Sequence, residues 1–249
     1  MSKRLLIDGD QFLFNATAAV EQETRWDEQN HVLYSNELEA WKLFTDMVER
    51  IKTRFPEHTN VILFFSDYPV WRTKLDQTYK AGRSRKPLCY QLLRDKIDTY
   101  YTVVAPPGMG LEADDVMGIL ATKPNAPESI VVSQDKDMGT VPCTVWNGEH
   151  LLTHTEQEAD HFHLYQTLTG DVTDGYRGCP GMGPVSAKKL LDGPYAPRLW
   201  WEKVVAAYAK KELTEADALV QARLARILRW SDWNADEKVP ILWTPKTAS

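Results

Sequence analysis

The sequence predicts an α/β fold: a mostly parallel central sheet flanked by helices, followed by a helical C-terminal part. Three observations lead there. Short apolar runs at 4–10, 60–67, 100–108 and 129–137 read as buried strands, and three of the four end in carboxylates. Helical patterns separate them, as β–α alternation requires. From about residue 155 the pattern turns wholly helical.

The elements follow in order. "RLLIDGD" (4–10) is an apolar run closed by acids, with a helix expected through 12–20. Leu38, Trp41, Leu43, Phe44, Val48 and Ile51 recur at helical spacing, which predicts a helix over about 36–54. "NVILFFSD" (60–67) is the second strand. Residues 68–100 are polar, basic and aromatic, with little core periodicity. "YYTVVAPPG" (100–108) is a third strand closed by Pro-Pro-Gly. "LEADDVMGIL" (111–120) starts a helix, and "SIVVSQDKD" (129–137) is a fourth strand ending in acids. Helices are then expected at 155–168, 184–192, 197–211 and 215–230, with a Gly/Pro-rich hairpin at 175–184.

The bulk numbers narrow the class. A chain of 249 residues with 43% hydrophobic content can bury a real core. No apolar run reaches the ~20 residues of a membrane span, and acids interrupt the first residues too soon for a signal peptide. Cys89, Cys143 and Cys179 are widely spaced and form no CxxC pair, which suits free thiols in a reducing compartment and argues against zinc. His161 and His163 would splay on a helix, and His150 and His154 lack the glutamate of HExxH. Ser66 and Ser133 have no His/Asp company for a nucleophile. Most tryptophans, Trp41 and the Trp200–Trp201 pair among them, read as packing residues.

The acids form one constellation. Asp8 with Asp10, Asp67, and Asp135 with Asp137 sit at strand ends, where open α/β sheets bind ligands. Asp135 and Asp137 face one side of an extended segment, while Glu112 and Asp115, like Asp171 and Asp174, share one helical face. Asp114 stands between the first pair. At ~4 Å and an effective dielectric of ~20, each like pair costs on the order of 4 kcal/mol. Either the acids protonate or a divalent cation neutralises them, and an all-oxygen set favours Mg²⁺ or Mn²⁺. Two such ions can activate a water and stabilise a leaving oxygen in phosphodiester cleavage. Taken singly, each acid pair is equally an ordinary surface feature or a helix-dipole partner.

Two further stretches bear on binding. "WRTKLDQTYKAGRSRKP" (71–87) carries Arg72, Lys74, Lys80, Arg83, Arg85 and Lys86 against one acid, Asp76, interleaved with Trp71 and Tyr79. Such cations bind phosphate and such rings stack on unpaired bases, although a solvated charge run has the same composition. "GCPGMGPVSAKKLL" (178–191) lacks the GK[ST] of a P-loop, and Ser186 stands where GxGxxG needs its last glycine. Gly181 and Gly183 at a helix start, followed by Lys188 and Lys189, suit a grip on a phosphate backbone, or a plain helical connection.

"LLIDGD", "FSDYPVWR", "YKAGR", "EADDVMGILA", "VVSQDKDMGTVP" and "LTGDVTDGYRGCPGMGPVSAKKLL", in this order, resemble the flap-endonuclease/5′-nuclease superfamily over about 4–244. The similarity is greatest to the 5′→3′ exonucleases of T-seven-type short-tailed phages. The resemblance implies a PIN-like α/β catalytic core over 1–155 with a short helical arch at about 68–100. It implies a helical DNA-binding part over 156–249, packed on the core, with a helix–three-turn–helix motif at about 165–192. A first metal site would use Asp8, Asp67, Glu112, Asp114 and Asp135, with Asp115, Asp137, Asp171 and Asp174 completing the shared site and a second metal region. Asp10 stands where the family usually has a small or polar residue and is not expected to be a ligand.

Lys80 and Arg83 would act on the scissile phosphate. Arg72, Lys74, Tyr79, Arg85 and Lys86 would guide the strand, and Gly181, Gly183, Ser186, Lys188 and Lys189 would hold duplex DNA. The implied cofactors are two Mg²⁺ (or Mn²⁺) ions and a K⁺ at the hairpin. The implied substrates are double-stranded DNA with 5′ ends or flaps and RNA–DNA hybrid. Phage replication proteins are implied as partners, and the infected host's cytoplasm as the setting, with no membrane. Removing the nine acids from a formal charge of −6 leaves +3, so a DNA-binding surface is compatible with an acidic chain. Two alternatives stay open on sequence: a haloacid-dehalogenase-type phosphatase with Asp8 as nucleophile and Asp10 as acid, and a non-catalytic DNA-structure binder.

Overall fold

The computed structural model describes residues 2–27, 30–106 and 108–245. Strand β1 (Arg4–Asp8) leads directly into α1 (Gly9–Val20), because the Asp8 carboxylate accepts the Gln11 N–H at 3.0 Å and starts the helix. A hairpin, β2 (Gln22–Arg25) and β3 (His31–Tyr34), precedes α2 (Glu37–Arg54), which Asn36 caps through Leu38 and Glu39 N–H. Then come β4 (Asn60–Phe64), α3 (Tyr90–Ile97), β5 (Thr102–Val104), α4 (Ala113–Ala121), β6 (Ser129–Val132), β7 (Thr144–Trp146) and β8 (Leu151–Thr153). The helical part holds α5 (Glu156–Thr169), α6 (Pro184–Leu190), α7 (Pro197–Ala209) and α8 (Glu215–Ala225). Reciprocal Thr155–Glu158 and Thr214–Asp217 boxes start α5 and α8. None of the helices is long and apolar enough to cross a membrane, among the described residues.

The six-stranded sheet runs β5-β4-β1-β6-β7-β8, parallel throughout except for β8, which pairs antiparallel with β7. Central β1 is covered on both faces, which is why it reads as a continuous apolar run. Leu5 and Ile7 pack under α1, α2 and α3, while Leu6 faces the opposite cluster with Met117 and Ile119 of α4. A third cluster, including Leu164, Leu168, Val204 and the buried Trp200 and Trp201, joins the C-terminal helices. Because the strands are parallel, Asp8, Asp67 and Asp135 all follow the carboxyl ends of their strands at one edge of the sheet.

Three features differ from the sequence reading. First, residues 68–100 carry a 3₁₀ turn at Trp71–Lys74 and the helix α3, which seats Tyr90, Leu93 and Ile97 in the α1 side of the core; the stretch between them is built of turns. Eight residues with three buried positions give too short a period to stand out. Second, the β2–β3 hairpin and strands β7 and β8 are additional to the expected elements. Third, the helix expected to run to 230 ends at Ala225, where Arg72 donates from Nε to the Leu224 carbonyl and from Nη2 to that of Arg226. A cation from elsewhere in the chain satisfies the carbonyls of the helix end, and Ile227 and Leu228 continue into the cluster beside α4. Pro107 of the expected strand closure and residues 246–249 of the helical part lie outside the described residues.

Candidate active site

Across the carboxyl edge of the sheet lies a cleft of about 900 Å³ whose lining includes Asp8, Asp10, Glu112, Asp114 and Asp135. Lys80, Arg83 and Lys86, from the turn-built segment, line the same cleft. The segment is tied down by its own backbone: Lys80 N–H donates to the Asp174 carbonyl at 2.8 Å, with Lys80 in the left-handed region at φ 56°. Its ammonium pairs with Glu112 and lies 3.4 Å from Asp174, while Arg83 reaches Asp174 at 3.0 Å.

The carboxylates are held by short local bonds. Ser133 donates its hydroxyl to Asp8 at 3.1 Å and accepts the Asp135 N–H at 3.2 Å, so one buried serine links two acids from different strands. Asp135 in turn accepts the Asp137 N–H at 2.8 Å, and Asp137 accepts the Gln166 amide at 2.5 Å. Asp171 accepts Lys136 at 2.5 Å and the N–H groups of Thr173 and Asp174.

Burial without enough cations shows in the titration of this cluster. Burial, with Asp10 and Asp135 adding like charge, pushes the Asp8 carboxyl up to about 7. Burial and neighbouring Asp135 push Asp137 up to about 7, and Asp114 rises through burial and the charges of Glu112 and Asp115. Asp135 also rises, chiefly by burial. Glu112 is the exception: burial opposes its charge, but Arg72 and Lys80 together hold it down at about 2. Glu112, Asp114 and Asp115 bring carboxylate oxygens within 4.8 Å of one another. Asp115 is committed elsewhere, but Asp8, Asp114 and Asp135 line the same cleft as an all-oxygen, charge-crowded set that fits a hard divalent cation, which would supply the missing positive charge.

Several residues expected at the site do other work. Asp115 is fully buried and saturated: Arg72 meets both its oxygens, and Trp71 Nε1 and the Leu228 N–H bond it as well. It is an interior anchor with no oxygen free for a metal. Arg72 is 1% exposed and spends its guanidinium on Asp115, Glu112 and two carbonyls, so it cannot guide a strand. Tyr79 is buried with its hydroxyl 3.1 Å from both Glu112 and Asp174, so it positions these acids and offers no face to a base. Asp67 does not line the cleft; it accepts the Gly110 N–H at 2.8 Å and pins the loop before α4. Arg85 is exposed but engaged at both outer nitrogens by Glu21, and Lys74 is exposed outside the cleft lining. Asp137, Asp171 and Asp174 lie beside the cleft in the bonds already described.

Asp10 lines the cleft and ties the Ser66 N–H at 2.8 Å and the Tyr90 hydroxyl to one carboxylate. Residue types gave no warning of Ser133, Gln166 and Lys136 as partners of the acids; Ser133 and Lys136 flank Asp135 in "SQDKD", which is the one available hint. Beyond the cleft, Gly181, Gly183, Ser186, Lys188 and Lys189 are all exposed around the start of α6. At the base of that hairpin Gly170 and Gly178 meet backbone to backbone. Both have positive φ, and a Cβ on Gly178 would come within 2.3 Å of the Gly170 nitrogen.

The chain as a whole is similar to known proteins. Residues 3–161 fit the family model described as 5′-3′ exonuclease, N-terminal resolvase-like domain. The chain belongs to the 5′-3′ exonuclease family. This exonuclease is 31% identical to the exodeoxyribonuclease of Enterobacteria phage T3, over 98% of the present chain and 93% of that protein. It is 32% identical to the exonuclease of Escherichia phage T7, over 97% and 93%. Among solved structures, its fold matches a bacteriophage T5 flap endonuclease in a pseudo-enzyme-product complex with DNA and metal ions. The TM-score is 0.60 at 12% identity, covering 90% of this chain and 88% of that one. A T5 5′-exonuclease with zinc bound matches at TM-score 0.59 and 14% identity, covering 90% and 89%. The exonuclease is therefore an enzyme of the 5′→3′ nuclease type, and the phosphatase alternative falls. Its supposed acid, Asp10, is the group fastening Ser66 and Tyr90.

Proposed function

We propose that this exonuclease hydrolyses the phosphodiesters of double-stranded DNA from 5′ ends, with flaps and the RNA strand of hybrids as related substrates. The observation that carries the reading is the single cleft in which Asp8, Glu112, Asp114 and Asp135 lie beneath Lys80 and Arg83. Asp8, Glu112, Asp114 and Asp135 would hold divalent ions of the Mg²⁺ or Mn²⁺ kind, with Asp137, Asp171 and Asp174 serving a second region. Bound there, the ions would neutralise the acids and lower the cost of charge on the attacking and leaving oxygens.

The chain's own groups then have definite tasks. Burial opposes the Lys80 charge, but Glu112, Asp114 and Asp174 raise its pKa, so it stays protonated at neutral pH. It offers a fixed positive charge to the scissile phosphate, and Arg83 beside it offers a second. As a water adds to phosphorus and the bond to the 3′ oxygen breaks, the products are a 5′-phosphate and a 3′-hydroxyl. Ser133 ties the Asp8 carboxylate to the Asp135 backbone, and Lys86 supports the strand at the cleft mouth. The exposed hairpin at Gly181 and Gly183, with Ser186, Lys188 and Lys189, holds the duplex by its backbone without reading bases. The family resemblance also implies a K⁺ at the hairpin. The biological setting inferred from the same resemblance is phage DNA replication, primer removal, recombination and host DNA breakdown in the host cytoplasm, alongside phage replication proteins.

Incubating 5′-labelled and 3′-labelled duplex, flap and hybrid substrates with and without Mg²⁺ tests the proposal. Short 5′-labelled products that need the metal are expected. Intact 5′-labelled duplex in Mg²⁺ would leave a DNA-structure binder in place of an active nuclease.

A further inference from the structure

Between α1 and α2, over the ends of β6 and β7, lies a second cavity of about 390 Å³ whose lining includes Ser133 but none of the cleft's carboxylates. Gln11 and Asn15 line both this cavity and the active-site cleft, so the two share a wall. Arg50 and Arg54, one turn apart on α2, stand on its rim, and no carboxylate is among its lining residues. The acids nearest in sequence are already taken, Asp46 by Lys42 at 2.5 Å and Glu49 by Lys52 at 2.6 Å. Arg50 spends only Nε, on the Asp46 carbonyl at 3.3 Å, and the Arg54 guanidinium lies over the Trp146 ring at 3.9 Å. Across the cavity the Gln134 N–H donates to the Gln11 side chain at 2.8 Å, which fixes that rim.

Two guanidiniums that form no ion pair among the described residues, at the edge of a part-apolar hollow, present the donor pattern that takes phosphate oxygens. We propose that this cavity is a second nucleic-acid subsite, in which Arg50 and Arg54 grip the backbone phosphates of the strand that continues past Gln11 and Asn15 out of the cleft. The inference rests on the nuclease reading given above, and it adds where the nucleic acid goes once it has left the carboxylates.

The test is duplex binding in Ca²⁺ as a function of salt, run beside cleavage in Mg²⁺, for the wild type, the double variant Arg50→Gln/Arg54→Gln, and the control Lys123→Gln/Lys238→Gln. The control removes equal charge from exposed sites outside the cavity lining and leaves the lysines that hold Asp46 and Glu49 in place. Loss of two phosphate contacts should weaken binding roughly five- to ten-fold and flatten the salt slope by about 1.8, with the control keeping the wild-type slope. If the arginine variant follows the control while the wild type cleaves normally, the subsite is wrong and the nuclease reading stands. A wild type that neither binds nor cleaves duplex sinks both. Thymidine 5′-monophosphate added as a competitor separates a strand from a free nucleotide. Inhibition of the wild type that disappears in the variant, with DNA affinity unchanged, would make the hollow a product pocket and overturn the proposal. If the double variant does not fold, Asn15→Lys decides: an added cation on the shared wall should steepen the slope by about 0.9, and an unchanged slope counts against the subsite.

Discussion

Arg72 and Asp115 close a two-point ion pair inside the protein, Nη1 2.7 Å from Oδ2 and Nη2 2.7 Å from Oδ1. The pair joins the 3₁₀ turn after β4 to the first turn of α4, and the same guanidinium satisfies the end of α8. Removing Arg72 would strand a fully buried carboxylate and two helix-end carbonyls. Arg72→Ala should therefore lower stability by about 3–5 kcal/mol in urea unfolding. A variant of wild-type stability with weakened DNA binding would instead return Arg72 to the substrate path.

Asp135 lies between the two acid groups, linked to Asp8 through Ser133 and to Asp137 through its own side chain. Asp135→Asn keeps the shape and removes the charge. Cleavage should be abolished while duplex binding in Ca²⁺ stays within a few-fold of wild type, as read by gel and anisotropy. Loss of folding in that variant would assign Asp135 a structural role.

Lys80 is held over Glu112 in a left-handed backbone conformation stabilised by Asp174. If its charge acts on the phosphate as the bond breaks, Lys80→Ala should slow single-turnover cleavage by roughly 100- to 1,000-fold, with only a modest change in affinity. An effect confined to affinity would make Lys80 a steering residue.

Asp8 and Asp137, each at about 7, have folded pKa values above the ordinary 3.8. The folded protein then binds more protons than the unfolded chain between about pH 4 and 7. The metal-free protein should lose stability as pH rises through that window and level off above it. Bound Mg²⁺ favours the ionised acids and should oppose the trend, so melting temperatures in EDTA and in Mg²⁺ should diverge towards pH 8. Parallel curves would show that these carboxylates do not take the metal.

Gly178 sits at φ 65° against the Gly170 backbone. Gly178→Ala forces a methyl into a main chain that cannot move aside. A loss of about 2 kcal/mol or more is expected in thermal or urea unfolding, together with weaker duplex binding through the displaced hairpin. An unaffected variant would mean that the crossing of the two glycine segments is loose in solution.

By itself the sequence determined the parallel sheet, since β1, β4 and β6 are apolar runs that only a doubly covered sheet accommodates, and the alternation with α1, α2 and α4 follows from helical periodicity. It also determined that acids gather at one edge, because parallel strands carry Asp8 and Asp135 to the same side, and that a basic segment and an exposed glycine hairpin accompany them. Tertiary structure alone decided which charges remain available. Arg72 and Asp115 lie 43 residues apart, and Asp67 and Gly110 likewise 43. Tyr79 and Asp174 are separated by 95 residues, and Arg85 and Glu21 by 64. Local periodicity tells which face a side chain occupies, but a charge is neutralised by whatever the fold places opposite it. That is why Arg72 and Tyr79, alike in sequence to Lys80 and Arg83, became internal fasteners and Arg85 a surface partner of Glu21, and why Asp115 and Asp67 hold the scaffold while Asp8, Glu112, Asp114 and Asp135 face the cleft.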